Sequence, residues 1–265
     1  METVRSDDAE IVYESWGQGP PVVLLHPFPV CRDFWKPAAQ ALSNYRVILP
    51  DLRGHGDSGI GDGAATMAKH ASDLRRVLDH TGIGRAPMVG VSIGGYALFE
   101  CWRRSAERIS GLVLCNTKAS PDSAEAREAR LRAAVDVLEK GVGPFVESML
   151  PKLLGNTTRS SRPDLVDGVR AMALKMSPQD VSQVQRGMAE RPDSIATLKT
   201  IGVPTLIVAG AEDGLTPMAD AEIMKANIPN SWVTVIQKAG HYAPWEKPDE
   251  VGTLLRQFLD SLRST

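Results

Sequence analysis

The stretch Val89-Gly90-Val91-Ser92-Ile93-Gly94-Gly95 places one serine between two glycines, directly after a short apolar segment. The spacing G-x-S-x-G is typical of a serine at the tip of a tight turn between a strand and a helix. Such a turn strains the backbone, so the positions two before and two after the serine must carry almost no side chain. Gly90 and Gly94 meet that demand, and the motif, although short enough to occur by chance, makes Ser92 a candidate nucleophile.

The composition excludes several classes of partner. The 265 residues carry 30 lysines and arginines against 32 aspartates and glutamates, for a formal net charge of -2. No basic field is therefore available to hold nucleic acid or anionic lipid. The first residues lack the apolar core of a signal peptide, and no segment is long and apolar enough to span a bilayer. We expect a cytoplasmic protein whose partner is a small molecule, with no nucleic acid and no membrane, and we leave a homodimer open.

The three cysteines, Cys31, Cys101 and Cys115, are scattered and show no spacing typical of metal ligands. An odd number of separated cysteines is typical of reduced thiols in a cytosolic protein. We expect each of them to be buried as a small apolar side chain, and the sequence predicts no metal site.

Apolar runs rich in β-branched residues alternate with amphipathic stretches along the chain. The predicted strands are residues 10–16, 22–25, 46–49, 87–91, 111–115, 203–208 and 232–236. Residues 66–80 repeat apolar side chains every three or four positions behind Thr66, which predicts a capped helix with His70 and His80 at its surface. This alternation predicts an α/β fold with a mostly parallel sheet covered on both faces.

The alternation stops between residues 119 and 200. No strand is predicted there, and helical patterns follow one another at 123–140, 145–154, 163–176 and 178–190. So long an interval cannot be one crossover loop, so we predict a helical cap at 119–200, inserted into a core made of residues 1–118 and 201–265. If the cap closes over Ser92, we expect it to form an apolar chamber. Most of its methionines should pack helix against helix, with Met149 and Met172 as candidates for substrate contact.

A serine hydroxyl needs a base to become a nucleophile, and five histidines are available: His26, His55, His70, His80 and His241. His26, at the end of a strand, and His55, in a glycine-rich loop, favour hydrogen bonding between loops, with His26 also a candidate for substrate contact. His241 comes just after the last predicted strand, where a loop can carry its ring over the carboxyl edge of the sheet. Open α/β sheets bind their ligands at that edge, so we assign the base to His241.

The base in turn needs an acid that orients it. Asp213 follows the predicted strand 203–208 on the same edge, with Glu212 as its rival. We favour Asp213, because the following segment 214–217 has the composition of a turn that would hold its carboxylate inward. Ser92, Asp213 and His241 then follow the chain order Ser…Asp…His of a known class of hydrolases.

An attacked carbonyl group also needs two backbone donors for its developing negative charge. Ile93, the residue after the nucleophile, supplies one N–H from the start of a helix. The second should come from the segment His26-Pro27-Phe28-Pro29, in which the two prolines have no N–H to donate. Phe28 is therefore the predicted second donor, and its ring is placed to line an acyl pocket.

With these residues placed, the chain resembles the α/β-hydrolase superfamily, particularly its small capped carboxylesterases and 3-oxoadipate enol-lactonase-like members. Residues 26–29 resemble the oxyanion loop of the family, with Pro27 where glycine is usual. Residues 51–58 match its D-x-R-G-x-G-x-S loop, and its nucleophile, acid and histidine loops are matched by 90–95, 209–217 and 239–248. The resemblance implies an α/β-hydrolase fold: a mostly parallel eight-stranded sheet, helices on both faces and an inserted helical cap.

The resemblance also implies a serine hydrolase that cleaves small carboxylic esters or lactones through an acyl-enzyme, without a cofactor. Haloalkane dehalogenases and epoxide hydrolases carry aspartate at the nucleophile position, so Ser92 argues against both. The sequence leaves three alternatives open: a cofactor-free perhydrolase or haloperoxidase, a hydrolase of carbon–carbon bonds that uses the same triad, and a ligand receptor with little turnover.

Overall fold

A single sheet organises the protein in the computed structural model, which describes residues 1–263. Its order is β1-β2-β4-β3-β5-β6-β7-β8. The strands are β1 (Glu2–Ser6), β2 (Ala9–Trp16), β3 (Pro21–Leu25), β4 (Arg46–Pro50), β5 (Ala86–Val91), β6 (Ile109–Cys115), β7 (Thr205–Gly210) and β8 (Ser231–Ile236). Strand β2 pairs antiparallel with β1 and with β4, and all other neighbours are parallel. The mostly parallel eight-stranded sheet is confirmed.

The seven strands predicted from the sequence all form, with bounds that differ by a residue or two. Strand β1 was not predicted. It is a short edge strand, and most of its side chains are exposed or half-buried, so it lacks the apolar run that marks the others. It forms a hairpin with β2, and Asp7 in the turn between them has a φ of 49°.

The helices described within residues 1–263 cover both faces of the sheet. They are α1 (Lys36–Ala39), α2 (Met67–His80), α3 (Ile93–Ser105), α4 (Ala124–Lys140), α5 (Val142–Leu153), α6 (Asn156–Ser161), α7 (Pro163–Ala173), α8 (Pro178–Ala189), α9 (Ile195–Leu198), α10 (Met218–Asn227), α11 (Ala243–Glu246) and α12 (Pro248–Ser261). Short 3-10 segments lie at Arg32–Trp35, Gln40–Leu42 and Ala106–Arg108.

The strand order determines which face each helix covers. The connection from β3 to β4 runs toward the β1 edge of the sheet. After β4 the direction reverses, and the strands β5, β6, β7 and β8 follow one another toward the opposite edge. Crossovers between parallel strands are right-handed, so α1 lies on one face and α2, α3 and α10 lie on the other. Helix α12 returns to pack against α1. The reversal beside β3 and β5 opens a crevice at the carboxyl ends of these strands.

Helices α4 to α9 all lie between β6 and β7, and no strand separates them in the part of the chain that the structure describes. The four predicted helical patterns correspond to α4, α5, α7 and α8, whereas the short α6 and α9 were not predicted. Tight backbone contacts join this insertion to the rest: a Cβ on Gly187 would lie 1.9 Å from the carbonyl oxygen of Ala65. The division at residues 118 and 200 stays a prediction.

The prediction that His70 lies at the surface is wrong, because its ring is only 1% exposed, whereas His80 is exposed. His70 follows Met67 by three positions and precedes Leu74 by four, so it shares their apolar stripe on α2. The three cysteines are buried free thiols. No helix among residues 1–263 combines the length and the apolar character needed to cross a membrane.

Candidate active site

Ser92 lies in the turn between β5 and α3, with a φ of 52° and a ψ of -114°. A residue with a side chain rarely adopts a positive φ, so this backbone is strained. The end of β6 and the loop after it hold this backbone in place, because the Ser92 N–H donates to the Cys115 carbonyl at 3.1 Å and the Ser92 carbonyl accepts from Thr117 Oγ1 at 2.8 Å. The strain lifts the Ser92 side chain out of the strand and above the carboxyl edge of the sheet.

The two glycines around Ser92 are required by close backbone approaches. A Cβ on Gly90 would lie 2.5 Å from the carbonyl carbon of Gly94, and a Cβ on Gly94 would lie 2.7 Å from the carbonyl oxygen of Leu25. Real Cβ atoms do not approach backbone so closely, so any side chain here would force the turn open. The structure thus agrees with the expectation from the sequence that both positions leave no room for a side chain.

His241 and Asp213 form a buried pair at the same edge of the sheet. The Nδ1 of His241 donates a hydrogen bond to Oδ2 of Asp213 at 2.8 Å, and both side chains are almost fully excluded from solvent. Because a carboxylate only accepts, this bond places the ring proton on Nδ1 and leaves Nε2 free to take a proton.

Four further donors surround the Asp213 carboxylate. The N–H groups of Leu215 and Thr216 donate to Oδ1 at 2.8 and 3.1 Å, while Thr216 Oγ1 and Asn116 Nδ2 donate to Oδ2 at 2.5 and 2.9 Å. Burial by itself raises the pKa of Asp213, but the interactions with His241, Thr216 and Asn116 outweigh it and bring that pKa well below its usual value. Asp213 is therefore ionised at neutral pH.

The carboxylate of Glu212, the alternative acid, contacts the helical insertion and not His241. It accepts hydrogen bonds from the N–H of Thr157, at 2.8 Å, and from the hydroxyl of the same residue. Thr157 lies on α6, so Glu212 ties the helical insertion to the loop after β7. The structure thus places Asp213, and not Glu212, beside His241.

The loop that carries His241 is held by a second buried carboxylate. Glu246 accepts from the N–H of Gly240 at 2.8 Å and from the N–H of Gly155 at 2.9 Å, and it is 4% exposed. Gly155 precedes α6, so one side chain joins the histidine loop to the insertion. Burial raises the pKa of Glu246 against the lowering effect of these hydrogen bonds.

Phe28 and Ile93, the two predicted oxyanion donors, flank the crevice beside β3 and β5. Ile93 is the first residue of α3, so its N–H has no acceptor within the helix. The carbonyl of Phe28 accepts from the Tyr242 hydroxyl at 2.7 Å, which fixes that peptide segment, and the ring of Phe28 packs against Phe145 with a centroid distance of 5.8 Å. Phe28 lies in the cavity wall beside Ser92.

The candidate role of His26 in substrate contact is wrong, because the ring is fully buried and both nitrogens are occupied by backbone groups. Its Nδ1 donates to the Pro27 carbonyl at 2.9 Å, and its Nε2 accepts from the N–H of Leu52 at 2.9 Å. Burial lowers the pKa of His26 to about 4, so the ring is neutral and ties two loops together.

A cavity of about 250 Å³ brings the candidate residues together. Ser92 and His241 both line it, although no hydrogen bond joins their side chains in the residues that the structure describes; such bonds often tighten only when substrate is bound. The insertion contributes Met149, Met188 and Leu153 to the wall, and contact between Met149 and substrate stays a prediction. Met172 is buried on α7 away from this cavity, so its predicted contact with substrate is wrong.

The cavity is not the apolar chamber expected from the sequence. Lys118, Asp122 and Arg130 lie in its wall among the apolar side chains. Arg130 Nε donates to Asp122 Oδ2 at 2.6 Å, and Arg191, stacked over the ring of Tyr96, approaches Asp122 Oδ1 at 2.9 Å. One side of the cavity therefore carries a cluster of charges.

One of the charged residues in the cavity wall, Arg130, could have been identified from the sequence. Arg130 lies four positions after Ala126 and four before Ala134 on α4, so it shares the inward face of that helix. A charged residue on the buried stripe of an amphipathic helix needs a partner or a ligand. Lys118 and Asp122 lie in a loop, and nothing in their spacing indicated that they face Ser92.

Comparison with known proteins agrees with this architecture. A thermophilic esterase from Thermogutta terrifontis, described with malate bound, superimposes with a TM-score of 0.95 at 38% identity, over 99% of each chain. The enol-lactonase from Burkholderia xenovorans gives a TM-score of 0.91 at 24% identity, over 98% of this chain and 100% of that one, a likeness of fold alone. The 3-oxoadipate enol-lactonase 2 of Acinetobacter baylyi is 26% identical over 250 residues, which are 93% of this chain and 92% of the relative.

Residues 20–248 also match the sequence pattern of the family described as the alpha/beta hydrolase fold. The match runs from β3 to the start of α12, so it includes Ser92, Asp213 and His241. The chain belongs to the alpha/beta hydrolase family.

Proposed function

We propose that the protein is a serine hydrolase that cleaves small carboxylic esters or lactones through an acyl-enzyme intermediate. The observation that carries the proposal is that Ser92, on its strained turn, and His241 line one cavity of about 250 Å³, with His241 hydrogen-bonded to the buried Asp213. A serine hydroxyl in one cavity with an imidazole that a carboxylate orients is the arrangement that acyl transfer uses.

The proposed reaction starts when Ser92 Oγ attacks the carbonyl carbon of the ester while Nε2 of His241 takes the hydroxyl proton. The N–H groups of Phe28 and Ile93 hold the negative charge on the former carbonyl oxygen. His241 then gives its proton to the departing alcohol, and Ser92 keeps the acyl group. Water gives a proton to His241 and attacks the acyl-enzyme, and His241 returns that proton to Ser92 Oγ as the bond to the acyl group breaks and the carboxylic acid is released. Asp213 stays ionised and stabilises the imidazolium in both halves.

Purified protein should hydrolyse p-nitrophenyl acetate and p-nitrophenyl butyrate, and it should open a small lactone such as γ-butyrolactone. The matched control is Ser92→Ala under the same conditions, since this substitution removes only the nucleophile. Turnover by the wild-type protein that disappears in the variant supports the proposal. A folded wild-type protein without turnover of any of the three substrates contradicts it.

A second candidate, cofactor-free perhydrolysis, has one specific observation in its favour: a non-heme haloperoxidase from Rhodococcus erythropolis is 28% identical over 279 residues. In this reaction hydrogen peroxide replaces water as the attacking group on the acyl-enzyme, so acetate and peroxide give peracetate and water. Bromination of monochlorodimedone in the presence of acetate, peroxide and bromide measures it. A rate that exceeds ester hydrolysis would favour this candidate over the first.

A further inference from the structure

We propose that Lys118 and Arg130 form an anion-binding subsite in the cavity of Ser92, and that the preferred substrates are esters or lactones with a carboxylate remote from the bond that is cleaved. This inference rests on the proposed function and names its substrate class. The observation behind it is a partly buried lysine in the cavity wall whose ammonium group makes no hydrogen bond in the described residues.

Lys118 is held close to the candidate nucleophile by the chain itself. The preceding residue, Thr117, hydrogen-bonds the carbonyl of Ser92 at 2.8 Å, and Lys118 lines the same cavity as Ser92 and His241. The Lys118 side chain is only 22% exposed, and across residues 1–263 it makes no hydrogen bond. An ammonium group carries three donors and is costly to bury without acceptors, so this position favours an anionic ligand.

The nearest carboxylate does not need Lys118. Asp122 lies 3.9 Å from Nζ of Lys118, beyond hydrogen-bond distance, and its two oxygens already face Arg130 at 2.6 Å and Arg191 at 2.9 Å. Burial raises the pKa of Asp122, but its cationic neighbours outweigh that effect and lower it, so Asp122 is ionised and already compensated. Asp220, the next carboxylate on this side, is near enough for its charge to interact with that of Lys118, but no hydrogen bond or ion pair joins the two side chains in the described part of the chain.

The side chains in the cavity wall leave one positive charge in surplus. Lys118 and Arg130 face the cavity against the single carboxylate of Asp122. One further carboxylate, supplied by a substrate, would balance this charge in a site where water does not screen it well. A neutral ester cannot balance the positive charge of the wall, so substrates with one negative charge are favoured.

Arg130 is already oriented for this role. Its Nε is fixed on Asp122, and its Nη1 lies 3.2 Å from Oε1 of Gln185 and 3.5 Å from the sulfur of Met188. A guanidinium group that is held in place loses little conformational freedom when it binds a carboxylate. Charge-assisted hydrogen bonds of this kind are worth about ten- to a hundredfold in binding.

The kinetic test compares two methyl esters that differ only in charge: monomethyl glutarate and methyl glutaramate, in which a neutral amide replaces the free carboxylate. Hydrolysis is followed by titration of the released acid. We expect the wild-type protein to prefer monomethyl glutarate at least about tenfold in kcat/KM. The preference should disappear in Lys118→Met, return in part in Lys118→Arg, and persist in the control Lys199→Met, which removes an exposed lysine.

A binding measurement keeps this test independent of turnover. Glutarate is titrated calorimetrically into the folded Ser92→Ala protein and into Ser92→Ala with Lys118→Met, and glutaramide serves as the neutral probe. Saturable glutarate binding that weakens about tenfold or more without Lys118 supports the subsite. Equal binding by both proteins, or none, overturns it. Hydrolysis of both esters at equal rates also overturns the subsite but leaves the serine hydrolase intact, whereas glutarate binding without hydrolysis of any ester contradicts the proposed reaction alone.

Discussion

The Nδ1 of His241 donates to Oδ2 of Asp213 at 2.8 Å and so joins two loops whose residues lie 28 positions apart in the chain. This bond depends on the parallel pairing of β7 and β8, which brings the loops after both strands to one edge of the sheet. It sets the tautomer of the histidine and keeps Nε2 toward the cavity of Ser92.

The substitution Asp213→Asn should lower kcat for ester hydrolysis by roughly 10⁴-fold, because an amide can hold the ring in the wrong tautomer and cannot stabilise its charged form. Glu212→Gln is the matched control from the neighbouring position. It keeps an acceptor for Thr157 and should change kcat less than about tenfold. The measurement is steady-state hydrolysis of p-nitrophenyl butyrate, and an exchange of the two severities would assign the acid to Glu212.

Replacing Ser92 by alanine should reduce kcat by a factor on the order of 10³ or more while the protein stays folded. The backbone at Ser92 is strained, and alanine meets the same strain, so circular dichroism and the thermal midpoint should change little. Ser160→Ala, on the exposed side of α6, is the control and should keep wild-type activity. Near-wild-type hydrolysis by folded Ser92→Ala protein would exclude Ser92 as the nucleophile.

Met149 and Met172 allow a matched test of the cavity wall. Met149 lines the cavity, so Met149→Ala should raise the kcat/KM of p-nitrophenyl octanoate relative to the acetate about tenfold, because a longer acyl chain gains room. Met172 is buried elsewhere in the insertion, so Met172→Ala should cost about 2–5 kcal/mol of unfolding free energy without changing the chain-length preference. Equal chain-length profiles for both variants would place the acyl group outside this cavity.

The sequence was sufficient for the fold and for the residues of the candidate triad, because each of them follows a short-range rule. A strand needs an apolar run, and the turn at Ser92 needs glycines two positions away on either side. The same kind of rule could have placed His70 correctly, since its spacing from Met67 and Leu74 puts it on the buried stripe of α2.

The charged wall of the cavity could not be derived in this way. Lys118 and Arg130 line one cavity because the insertion packs against the sheet. That packing depends on contacts between residues far apart in the sequence, such as Glu246 with Gly155. The same holds for His26, because the N–H that donates to its Nε2 belongs to Leu52, in the loop after β4. The residue type of His26 suggested contact with substrate, whereas in the folded protein its ring joins two loops by hydrogen bonds.

Buried neutral histidines predict how stability depends on pH. Burial lowers the pKa of His26 to about 4 and of His55 to about 3, below the ordinary value of 6.5 that each ring regains on unfolding. The unfolded chain therefore binds more protons in this window, so the free energy of unfolding is highest above pH 6.5 and falls as the pH drops toward 4 and 3.

The variant His55→Asn removes one of these titrating groups and keeps an amide donor for the Arg53 carbonyl. Its unfolding free energy should depend on pH less steeply than that of the wild-type protein, by up to about 1.4 kcal/mol per pH unit between pH 4 and 6. Urea unfolding at a series of pH values measures the slope. Identical slopes for the two proteins would show that His55 does not titrate on unfolding.

Covalent labelling of the nucleophile tests the central claim most directly. The purified protein is treated with a fluorophosphonate, which reacts with an activated serine, and the modified peptide is sequenced by mass spectrometry. The account predicts one phosphonyl group per chain, attached to Ser92, with loss of ester hydrolysis in proportion to labelling and no reaction in Ser92→Ala. A label on any other residue, or full esterase activity in protein labelled completely at Ser92, would contradict the account.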